Sequence, residues 1–111
     1  MLYLIIGIFG LAAIFGIIIL KNWLTSVHTS RTTVYIHGLF AAVGLGILIY
    51  YLYSNGASNA RTALILLVIA AIGGFYMFFR DLKGKFSPIW LAVIHALLAV
   101  TGVGFLLFMA I

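Results

Sequence analysis

A fourteen-residue segment occurs twice in this chain. Positions 36–49 read I-H-G-L-F-A-A-V-G-L-G-I-L-I and positions 94–107 read I-H-A-L-L-A-V-T-G-V-G-F-L-L, identical at seven of the fourteen. The offset is 58 residues (95 minus 37), and it also lays Ala12-Ala13-Ile14-Phe15-Gly16 over Ala70-Ala71-Ile72-Gly73-Gly74. Such a chain is expected to fold as two copies of one unit related by a pseudo-two-fold axis. A residue close to that axis meets its own counterpart, so His37 and His95 are expected to face each other.

The unit is a membrane hairpin. Of the 111 residues, 67% are hydrophobic and 6% charged, far too little polar surface for a soluble domain. Four apolar stretches run over 2–20, 33–53, 62–79 and 88–111. Each approaches the roughly 20 residues that cross a hydrocarbon layer of about 30 Å as a helix. Lipid offers backbone groups no partners, so the spans must be helical. The expected fold is an all-α, integral membrane four-helix bundle of two tandem hairpins, a single transmembrane domain over 1–111. Repeat one covers about 1–54 and repeat two about 59–111. Each hairpin goes in and comes back, so the pseudo-two-fold axis runs along the membrane normal.

The first span lacks a basic leader and is too long for a signal peptide, so it is expected to remain as helix one. Cysteine is absent, which removes disulfides and thiolate metal sites. The net charge of +5 is no sign of nucleic-acid binding, because the cations sit at helix ends. Lys21 and Arg31 flank the first loop; Arg80, Lys83 and Lys85, with Asp81, flank the third; Arg61 stands beside the second. The positive-inside rule then puts loops one and three in the cytoplasm and both termini outside, in a bacterial inner membrane.

The cluster Ser54-Asn55-Gly56-Ala57-Ser58-Asn59 is a turn joining the copies, with Ser58 or Asn59 as a cap for helix three. Thr29, Ser30 and Thr32 offer caps for helix two, and Ser87-Pro88 reads as an N-cap followed by proline at the first helical position. Trp23 and Trp90 near one interface, and Tyr50, Tyr51 and Tyr53 near the other, read as an aromatic belt. The run Phe75-Tyr76-Met77-Phe78-Phe79 reads as lipid-facing, and Gly7, Gly10, Gly16, Gly73 and Gly74 as close-packing or dimer-contact positions.

Histidines inside a span are rare and usually functional. Here both copies carry one, at nearly the same depth. Residues at i, i+4 and i+7 share a helix face. That face carries Ala41 and Gly44 after His37, and Ala99 and Gly102 after His95. The small residues are expected to open a groove beside each imidazole, wide enough for a porphyrin edge between helices two and four. Arg31, about two turns before His37, is the expected partner of a propionate, with the third-loop cations beside it. The metal ligands are then His37 and His95, holding one b-type haem. The competing reading is a packing clasp, in which small residues seat the helices and the histidines bond across the interface. His28 has Phe86 as its counterpart and reads as a solvated loop histidine; its sharper reading is a proton acceptor beside a quinol.

With its four helices and with Ile36-His37 and Ile94-His95 followed by small residues, the chain resembles the small four-helix b-type cytochromes, in the style of the cytochrome b561 group. The resemblance implies haem-based electron transfer. That group generally holds two haems through four histidines, whereas this chain offers one membrane pair, and hence one haem near one face. The expected function is a membrane electron carrier binding haem b, exchanging electrons with a quinol or a partner subunit, rather than a stand-alone enzyme. Its expected partners are the lipid bilayer and a redox protein or a second copy. The alternative is a haem-free accessory subunit of a larger membrane complex. A solute carrier is weaker, because no carboxylate lies in any span.

Overall fold

The computed structural model describes residues 1–56 and 58–111. Four helices follow one another: α1 (Leu2–Leu24), α2 (Arg31–Asn55), α3 (Ser58–Leu82) and α4 (Ile89–Ala110). All four are long and apolar enough to cross a membrane. Apolar side chains such as Leu11, Ile14, Ile69, Ile72, Leu97 and Val100 cover the outside. A helix hydrophobic on every face needs lipid as its solvent, so the chain is an integral membrane protein. Helices α1 to α3 outrun their apolar stretches by several residues. Hydropathy tracks the lipid thickness, whereas a helix continues until a cap or turn ends it.

Cap chemistry explains most ends. Ser30 takes extended backbone before α2, and its Oγ accepts from the Thr33 amide at 3.3 Å. Gly56 ends α2 in the left-handed region (φ 68°), its amide donating to the Leu52 carbonyl at 2.8 Å. Ala57, within the joining turn, lies outside the described residues. Before α4 the expected cap shifts by one residue. Pro88, not Ser87, is the N-cap; its carbonyl accepts from the Leu91 and Ala92 amides at 3.1 and 3.3 Å. Ser87 is turned inward, and its Oγ is buried without a partner.

Each hairpin packs tightly within itself, α1 on α2 and α3 on α4; α1–α4 and α2–α3 form two looser seams. Helices α2 and α4 therefore stand diagonally across the bundle. Buried positions recur at the 58-residue offset: Ile5 and Ala63, Phe9 and Leu67, Ala12 and Ala70, Ile19 and Met77, Thr29 and Ser87, Leu48 and Leu106. Two residues meet their own counterparts. The His28 ring stacks on Phe86 with centroids 4.2 Å apart, and the His37 and His95 rings lie 6.2 Å apart. Both pairs straddle a line between the two hairpins.

The core divides by depth into two clusters, each drawing on both hairpins. One cluster, around Ile5, Phe9, Leu48, Leu67 and Leu106, fills the end that holds the termini. A second, of Ile19, Trp23, Met77 and Ala92, fills the end that holds loops one and three. Trp23 is thus a buried plug, not the interfacial belt residue expected, because the end of α1 leans on the first turns of α4. Trp90 is exposed, as a belt residue should be. Within the aromatic run of α3, Phe75, Tyr76 and Phe79 are exposed, but Met77 is buried.

Loops one and three make the same turn. The Val27 amide donates to the Asn22 carbonyl and the Lys85 amide to the Arg80 carbonyl, the six-to-one bonds of a Schellman motif. The residue in the left-handed region is Ser26 (φ 58°) in the first loop and Gly84 (φ 73°) in the third. A Cβ is disfavoured there, by roughly 1 kcal/mol. Ser26→Gly should therefore raise stability by roughly 0.5–1 kcal/mol, and Gly84→Ser should lower it by a similar amount. Denaturant titration of helicity in mixed micelles measures both; opposite signs would refute this account of the turn.

Candidate histidine site between the hairpins

His37 and His95 are each the seventh residue of their helices. At 1.5 Å per residue both sit about 9 Å from the helix start. They occupy a polar layer between the two apolar clusters, and each is half-buried.

Each imidazole is held by the other helix of its own hairpin. His37 Nδ1 lies 2.7 Å from the Ala12 carbonyl oxygen, and His95 Nδ1 lies 2.7 Å from that of Ala70. A carbonyl oxygen only accepts, so Nδ1–H is the donor in both rings. In the neutral ring this leaves the lone pair on Nε2. The seat is cut by a missing side chain. A Cβ on Gly16 would stand 2.9 Å from His37 Cε1, and one on Gly74 would stand 3.1 Å from His95 Cε1. The short motif shared by α1 and α3 is therefore a notch. Ala12 and Ala70 supply the acceptors; Gly16 and Gly74, one turn on, supply the room. The matching motifs were visible in the sequence, but which residue filled the notch was not.

The small residues behind the histidines do something other than expected. His37 faces α1, and Gly44 shares its face, so Gly44 faces α1 as well. A Cβ there would meet the Phe9 ring at 2.9 Å; on Gly102 it would meet Leu67 Cγ at 2.8 Å. The expected groove at Gly44 and Gly102 is corrected to a packing seam within each hairpin. Ala41 and Ala99 are half-buried, and Ala99 packs against the core cluster. Arg31 lies at the loop end, where its Nη2 reaches the Leu82 carbonyl at 3.5 Å.

The spacing of the two rings is compatible with ligation of one metal from both sides. An iron shared by two imidazoles places the ring centres roughly 6 Å apart, from metal–nitrogen bonds of about 2 Å and about 1 Å more to each centre. The ring centroids lie 6.2 Å apart, with planes at 74°. Hydrogen-bonding Nδ1–H to a backbone carbonyl is the usual outer support of a ligating imidazole. Among the described residues no three His, Cys, Asp or Glu side chains group to hold a metal ion. Two nitrogens alone are too few for a bare metal ion, which takes four or more donors; any metal held here would need its other donors from a bound group.

No family model, curated protein or solved structure matches this chain.

The notch generates a test. Gly16→Ala and Gly74→Ala should push the imidazoles off their carbonyls and destabilise the protein by roughly 1–3 kcal/mol each. Gly7→Ala and Gly10→Ala, with open space around the added Cβ, should be near neutral. Equal effects in all four, by unfolding in mixed micelles, would refute the seat.

Proposed function

We propose that the protein is a membrane electron carrier that holds one b-type haem between its two hairpins, with His37 and His95 as axial ligands. The observation that carries this reading is the symmetric pair: two imidazoles from separate hairpins, each anchored through Nδ1, with ring centres 6.2 Å apart. The Ala12 and Ala70 carbonyls fix each tautomer and make Nε2 the more basic donor. Gly16 and Gly74 leave room for the Cε1 edges of the rings against α1 and α3. The looser seams, α1–α4 and α2–α3, are where a flat group enters without opening a hairpin. A haem so held supplies one-electron transfer, its potential tuned by ligation, burial and nearby charge. With the pair nearer the loop end, electrons are exchanged on that side, with a quinol or a partner subunit. By the positive-inside rule that side faces the cytoplasm, with both termini outside.

A second reading is favoured by the same hydrogen bonds. Each histidine clasps its hairpin whether or not anything occupies the space between them, as befits a haem-free accessory subunit of a larger complex.

A reduced-minus-oxidised visible spectrum of the detergent-purified protein separates the two. The expected result is one low-spin b-type signal at about one haem per chain, lost in both His37→Ala and His95→Ala. A protein that stays colourless after haem supplementation, or one whose two variants keep the full signal, would leave the clasp as the reading.

A further inference from the structure

The two seams are equivalent by the 58-residue offset, but their loop-end corners are not alike. At one corner the end of α1 meets the start of α4. Trp23 is buried there with Ala92 and Leu91. Its Nε1–H and the Ser87 Oγ at this end of the bundle are both buried without partners among the described residues. At the other corner the end of α3 meets the start of α2. Here Asp81 stands where Trp23 stands in the first, Thr29 for Ser87, Arg31 for Ile89 and Gly84 for Ser26. In place of a plugging indole there is a cavity of about 210 Å³, lined by His28, Thr29, Arg31, Asp81 and Gly84.

Asp81 is the only carboxylate side chain of the chain. It shares this cavity with a guanidinium and an imidazole. Arg31, one of whose terminal nitrogens reaches the Leu82 carbonyl at 3.5 Å, has further guanidinium donors suited to phosphate oxygens. Asp81, as an acceptor, calls for a donor of positive charge. A purely anionic ligand would leave Asp81 repelled, and a purely cationic one would leave Arg31 so. The cavity opens at the ends of two membrane-spanning helices, the level at which lipid headgroups lie.

We propose that this corner is a headgroup site for an aminophospholipid, with its phosphate on Arg31 and its primary ammonium on Asp81. A trimethylated headgroup has no N–H to give Asp81, and a glycerol headgroup brings no positive charge.

Native mass spectrometry of lipid adducts tests it. The protein is reconstituted with phosphatidylethanolamine, phosphatidylglycerol or phosphatidylcholine of identical acyl chains, and released gently. The expected result is retention of phosphatidylethanolamine about tenfold above the other two, as one well-made charged contact implies. Arg31→Gln and Asp81→Asn should each remove the preference, and Asp81→Glu should keep it. Asp81→Trp, which copies the plugged corner, should remove it with helicity intact. Trp23→Phe, at the opposite corner, should leave it unchanged. A parallel arm with free phosphoethanolamine separates a lipid site from a soluble one; binding of the free compound without retention of the lipid would overturn the proposal. Equal retention of the three lipids, or a preference that survives Asp81→Asn, would overturn it as well.

Discussion

Two hydrogen bonds of 2.7 Å, from His37 to the Ala12 carbonyl and from His95 to that of Ala70, organise the middle of this bundle. Between helices in lipid there is no hydrophobic drive to associate, because the tails are as apolar as leucine. Close packing and the few available hydrogen bonds must do it. Each such bond contributes about 0.6 to 2 kcal/mol. Its larger effect is positional. A histidine can reach a helical carbonyl on a neighbour only where the neighbour lacks side-chain bulk, so the bond sets the register of α2 on α1 and of α4 on α3. The placement of Gly44 over Phe9 and of Gly102 over Leu67 then follows along the same faces.

That register also decides what lies on the pseudo-axis. With both hairpins set alike, the imidazoles meet in a layer between two apolar clusters, and His28 meets Phe86 at the loop end. The hairpins themselves touch less extensively than the helices within them. The molecule is thus two firm units with a softer join, and its polar ring atoms lie at the join. A flat cofactor ligated from both sides and a plain helix clasp use the same atoms, and so the seat of each histidine is common to both readings.

The two hairpins match in part at the 58-residue offset, and several positions depart from that match. Phe15 stacks on Phe40 in the first hairpin, whereas the second has Gly73 and Leu98 at those positions. Trp23 closes one loop-end corner, whereas Asp81 leaves the other open and charged. Ser26 takes a left-handed backbone that Gly84 takes freely.

Hydropathy determined by itself that the chain forms four membrane helices, because lipid permits an apolar segment of this length little else. The pairing of His37 with His95 was also legible, since a residue near a two-fold axis must meet its counterpart. The sequence did not say which way the small residues face. Ala41, Gly44, Ala99 and Gly102 share a stripe with the histidines, but a stripe on a helix has no address until a neighbour is chosen, and the neighbour proved to be the hairpin partner. Trp23 looked interfacial because its depth is readable and its azimuth is not. Only tertiary packing decided that azimuth, and with it the notch at Gly16 and Gly74, the plugged corner and the open one.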